Sequence, residues 1–101
     1  MIKINEKTYE FKYSLRSMFI FEEIAGKPFE ISALIDTYVF AYSCVLANKD
    51  NPSLEFEEFI DACDADPSII EEFNRFMEDE MKKRELLGKK KVTTRKGKNS
   101  R

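Results

Sequence analysis

The chain of 101 residues has no histidine and no tryptophan, and only two cysteines, three glycines and three prolines. Without histidine it lacks the side chain most often used for proton transfer near neutral pH, and with it any Ser-His-Asp or Cys-His nucleophile system. The glycines at 26, 88 and 97 are scattered and none opens a helix, so no glycine-rich phosphate cradle is formed. Cys44 and Cys63 sit within apolar periodic segments, where a reduced thiol acts as a small hydrophobe. They offer neither a disulfide framework nor a zinc pattern. The longest apolar run, Tyr38 to Ala47 broken only by Ser43, is about half of what a helix needs to cross a bilayer. The opening Met1-Ile2-Lys3-Ile4-Asn5 lacks the basic and apolar blocks of a secretory signal, so the expectation is a cytoplasmic protein without a membrane span.

What is present is charge and aromatic mass. Residues 1–87 hold ten of the seventeen Lys/Arg and all nineteen acids, a balance of −9, whereas residues 88–101 hold seven Lys/Arg and no acid, a balance of +7. The expected organisation is a single compact acidic domain, 1–87, followed by a basic tail, 88–101, that has one apolar residue and is expected to be disordered when free.

Within the body, Ile2 and Ile4, then Tyr9, Phe11 and Tyr13, alternate as strands do, which predicts a β-hairpin over 2–13 with a loop slightly longer than two residues, since the favoured Asn-Gly pair is missing. Ser14 is placed to cap a helix over about 15–25 that Gly26 ends and Pro28 keeps from resuming. Ser32 is placed to start a second helix, about 32–48, stopped by Asp50-Asn51-Pro52. A third is expected over about 56–64. A fourth, 67–87, opens with Asp66 as cap and Pro67 at the first helical position. The fold class is therefore α+β, mostly α, with an N-terminal hairpin and about four helices.

Two carboxylate patterns stand out. Glu57, Asp61 and Asp64 share a helical face at i, i+4, i+7, a spacing suited to a hard cation or an acid/base pair, but no complementary ligand set occurs elsewhere and a solvated face opposite Phe56, Phe59 and Ile60 accounts for them. The Asp50–Glu58 segment fails as a calcium loop because Ala47 and Lys49 fall at ligand positions and Pro52 where glycine is needed. No metal, cofactor or catalytic residues are assigned, and a non-enzymatic role is expected.

The basic tail, Lys89, Lys90, Lys91, Arg95, Lys96, Lys98 and Arg101, has the charge to neutralise phosphates, but it has no aromatic residue to stack on bases and the body repels polyanions. A small nucleic-acid-binding regulator is thus the alternative reading. The nine Phe and four Tyr carry more information. Met18-Phe19-Ile20-Phe21 covers most of a helix circumference, and the second helix is apolar nearly all round, so it is either central or faces a partner. Phe19, Phe21, Val39 and Phe40 are the candidate partner-binding residues.

The run Ile2-Lys3-Ile4-Asn5-Glu6-Lys7-Thr8-Tyr9-Glu10-Phe11-Lys12 resembles the opening hairpin of the tail assembly chaperones of long-tailed bacteriophages and prophages, with Glu6 where those proteins usually carry the glycine of an Asn-Gly-Lys turn. The resemblance continues through Leu15-Arg16-Ser17-Met18-Phe19-Ile20-Phe21-Glu22-Glu23, the Gly26-Lys27-Pro28-Phe29 break, Leu54-Glu55-Phe56-Glu57-Glu58-Phe59-Ile60 and Asp66-Pro67, covering residues 1–77. It implies a non-enzymatic chaperone that keeps the tape-measure protein soluble and recruits tail-tube subunits, acting in the bacterial cytoplasm and absent from the mature virion. Self-association is expected as well. Members are often made in two lengths by ribosomal frameshifting, for which the codons of Lys89-Lys90-Lys91 would be the natural slip site.

Overall fold

The computed structural model describes the backbone of residues 1–99 and the side chains as far as Arg84. Strands β1 (Ile2–Ile4) and β2 (Lys7–Tyr9) form an antiparallel hairpin in the register Ile2↔Tyr9, Lys3↔Thr8, Ile4↔Lys7. Helices follow at α1 (Leu15–Ala25), α2 (Leu34–Ala47), α3 (Phe56–Ala65) and α4 (Ser68–Asn99). This is the expected α+β class, dominated by helix.

The hairpin turn is tighter than expected. Asn5 (φ 51°) and Glu6 (φ 67°) both take the left-handed conformation, as a two-residue type I′ turn requires, although Glu6 has none of glycine's freedom there. The strands also stop at Tyr9, short of the expected Tyr13. Beyond them the chain leaves its strand partner for the end of α2, where the Lys12 N–H donates to the Cys44 carbonyl at 3.0 Å. That carbonyl belongs to the last turn of a helix, where intrahelical donors run out.

Local chemistry sets the helix ends. At α1 the Ser14 and Ser17 hydroxyls each accept from the other residue's backbone N–H (3.3 and 3.0 Å), a reciprocal cap, and Gly26 (φ 70°) closes the helix by donating to the Glu22 carbonyl at 2.9 Å. For α2 the expected cap at Ser32 is replaced by Asp36, whose Oδ2 accepts from the Ala33 and Ser32 N–H groups at 2.8 and 2.9 Å. A carboxylate in the first turn binds two free donors and complements the helix dipole, so the helix starts at Leu34. Asp66 ends α3 and its Oδ1 accepts from the Ser68 N–H at 3.1 Å, turning the chain directly into α4.

The backbone of α4 runs helical to Asn99, past the expected boundary at Leu87. Gly88 costs only about 1 kcal/mol in a helix interior, and the Lys and Arg residues that follow are good helix formers. The expectation for Ser100 and Arg101 lies outside the described residues.

A single hydrophobic cluster joins all these elements. It contains Ile2, Ile4, Tyr9 and Phe11 from the N-terminal segment, Phe21 from α1, Val39 to Val45 along α2, Leu54 before α3, Phe59 and Cys63 from α3, and Ile69 and Phe73 from α4. Helix α2 is the axis of the domain, with α1 packed along it and α3, α4 and the hairpin closing round it. No helix among the described residues is long and apolar enough to cross a membrane.

Candidate interaction surface

Helix α1 divides by its i, i+4 rows. Ser17 and Phe21 point inward and are fully buried. Leu15 and Phe19 stand one turn apart on the outer side, 64% and 58% exposed. Together with Ile20, Arg16, Glu22 and Glu23 they line a shallow concavity along the outside of the helix. Each end of α1 is firmly capped, so the two apolar side chains are displayed on a fixed frame rather than on a loop.

A second exposed apolar pair, Leu34 and Ile35, opens α2. Its frame is the Asp36 carboxylate, nearly buried and held by the Lys27 ammonium at 2.8 Å, by the two backbone donors and by the Ser32 hydroxyl at 3.2 Å. Lys27 foremost, then the Ala33 and Ser32 N–H groups, hold this carboxyl well below the usual carboxylate range. The same arrangement fixes the α1–α2 loop, which Glu22 fastens again by accepting from the Phe29 N–H at 2.8 Å.

The fastened loop places Phe29 and Ile31 across from α4, and between them lies a groove of about 340 Å³. Phe40 and Phe73 form its buried floor; Thr37, Met77, Met81, Tyr13 and Asn74 complete its walls. At one end the Arg84 guanidinium stacks over the Tyr13 ring, 4.4 Å from its centre.

Of the four expected partner-binding residues, only Phe19 is displayed. Phe21, Val39 and Phe40 are 0%, 5% and 3% exposed, which corrects their assignment to a surface. Phe40 packs against Phe29 (4.8 Å between ring centres), Tyr13 (5.9 Å), Phe73 (6.0 Å) and Phe21 (6.1 Å). The all-round apolar character of α2 from Val39 to Val45 is thus absorbed by its central position, with an aromatic wall around Phe40 supplied by four other segments. Leu15, Leu34 and Ile35 take the place of the lost candidates; their signal was a leucine one turn before Phe19 and two large apolar residues immediately after an expected helix start.

The remaining candidates are dispersed. Glu57, Asp61 and Asp64 all lie on the exposed side of α3, opposite buried Phe59 and Cys63. Among the described residues no group of three His, Cys, Asp or Glu is arranged to hold a metal ion. Burial pushes the Cys44 thiol up to about 12 and the Cys63 thiol, beside Asp64 and Asp66, up to about 11, so neither is a thiolate at neutral pH. The side chains of Lys89, Lys90, Lys91, Arg95, Lys96, Lys98 and Arg101 lie outside the described residues.

Sequence reasoning also passed over Asn51, expected only as part of a helix stop. Its amide accepts from the Glu10 N–H at 2.9 Å and donates to the Glu10 carbonyl at 2.8 Å and the Val45 carbonyl at 2.9 Å. One side chain thereby ties the segment after the hairpin to the end of α2. An Asn before a proline is a common turn signal, and nothing local distinguishes this one. No protein-family model, curated protein or solved structure matches the chain.

Proposed function

We propose that the chain is a non-enzymatic protein-binding chaperone of phage or prophage tail assembly, which holds the tape-measure protein and meets tail-tube subunits through apolar helix surfaces. The observation that carries the reading is the outward pair Leu15 and Phe19 on a doubly capped helix whose inner face already fills the core. Large apolar side chains left side by side on a rigid element characteristically meet another chain. The net charge of −9 carried by residues 1–87 suits a holding role, because it keeps such a surface soluble while it waits for its partner. The family likeness of residues 1–77 supplies the identity of the partners.

Co-expression with the tape-measure and tail-tube proteins of a long-tailed phage is the test. The expected outcome is co-purification of the full chain with at least one of them and a larger soluble fraction of the tape-measure protein. A tape-measure protein that stays equally insoluble, with neither partner retained, would overturn the reading.

A further inference from the structure

The groove between α4 and the α1–α2 loop differs from the α1 surface in depth and in the charge around it. Its floor is aromatic and buried, while Ile31 and Met81 at its lip are 44% and 43% exposed. All of its walls are uncharged. Its volume of about 340 Å³ is at the lower end of ligand pockets, enough for one or two large apolar side chains. Two of its walls are methionines, whose unbranched thioethers adapt to side chains of different shape.

Acids flank the opening. Glu30 lies between Phe29 and Ile31 on the loop, and Glu78 lies between Met77 and Met81, one turn after Asn74, on the solvent side of α4. Both are exposed, and neither forms an ion pair with a described residue; Lys82, four residues after Glu78, makes none with it. Arg84 sits at one end of the groove, over Tyr13 and 4.0 Å from Glu80.

We infer that this groove is a docking site for a basic amphipathic helix of a partner protein, which seats large apolar residues one turn apart on Phe40 and Phe73 and sets Lys or Arg beside Glu30 and Glu78. An acidic helix would place like charges against that lip, and an uncharged one would leave both carboxylates unanswered. The inference rests on the protein-binding reading above and adds to it a second surface with its own partner chemistry.

The test uses the full chain and two labelled synthetic peptides of roughly 18 residues, long enough to populate helix. They share leucines at i, i+3, i+4 and i+7 and carry lysine or glutamate at the remaining positions. Fluorescence anisotropy is expected to show the lysine peptide binding at least about tenfold tighter than the glutamate peptide. Met81→Ser and Ile31→Ser, both at exposed positions and checked for folding by circular dichroism, should each weaken the lysine peptide about tenfold. The double variant Glu30→Lys, Glu78→Lys should reverse the preference, and Phe19→Ser should leave it unchanged. Equal binding of both peptides, or loss through Phe19→Ser with the groove variants unaffected, overturns the groove assignment while leaving the chaperone reading intact. If the full chain sediments as an oligomer that Met81→Ser dissociates, the occupant is a second copy and the assignment to a partner protein fails.

Discussion

Helices α1 and α2 are both rich in apolar residues but differ in what they do with them. In α2 the central part, Val39 to Val45, is buried on every side because α1, α3, α4 and the N-terminal segment all pack around it. In α1 only the Ser17 and Phe21 row is buried, and Leu15 and Phe19 remain in solvent. Apolar excess along a helix therefore has two meanings, and tertiary position decides between them. The stretch of a helix that lies at the axis of a small domain satisfies its excess internally; a face at the periphery keeps it for something else.

The sharpest way to break this contrast is substitution on either side of it. Phe40→Ala removes a ring that meets four others in the core, and should lower unfolding free energy by about 3–5 kcal/mol in denaturant titration. A cost below about 1 kcal/mol would mean that α2 is not the packed axis described here. Asn51→Ala leaves a carbonyl at the end of α2 and the Glu10 backbone without their amide partner, for an expected loss of about 1–2 kcal/mol in the same titration. Glu6→Gly works in the opposite direction: relieving a left-handed glutamate in the hairpin turn should raise stability by about 1 kcal/mol.

Acid titration probes the frame under Leu34 and Ile35. Because folding depresses the Asp36 carboxyl below its unfolded value, its stabilising contribution is complete above about pH 4 and is lost as pH falls further toward the folded value. Asp36→Asn should be less stable at neutral pH yet show a flatter stability profile below pH 4, measured by thermal melts across that range. Parallel acid limbs for the two proteins would contradict the described clamp. The smallest effect is expected on the other side of the contrast, where Phe19→Ser should change stability by no more than about 0.5 kcal/mol.

Much of the fold was legible because its punctuation is local. Ser14, Gly26, Asp66 and Pro67 act within a few residues of themselves, and helix spacing identifies Phe59, Cys63, Ile69 and Phe73 as inward. The misplaced features depend on distant partners. Ser32 is a good cap in isolation, but Lys27 lies nine residues before Asp36 and makes that carboxylate the stronger choice. Phe21, Val39 and Phe40 look like surface in the sequence because no periodic rule reveals that Phe29, Tyr13 and Phe73 come together around Phe40. The groove was invisible for the same reason, since its walls come from the end of the hairpin segment, the α1–α2 loop, α2 and α4. Phe19 could be found from sequence because four consecutive apolar residues on one helix leave at least one outside.

The central claim is that the outward apolar residues of α1 exist to hold a partner and contribute little to the fold. Its most direct measurement is the soluble fraction of the tape-measure protein co-expressed with the full chain, compared with a Leu15→Ser, Phe19→Ser variant whose melting temperature is recorded alongside. The account predicts an unchanged melting temperature and a soluble fraction reduced to that seen without the chain. A variant that melts as the parent does and still keeps the tape-measure protein fully soluble would contradict it.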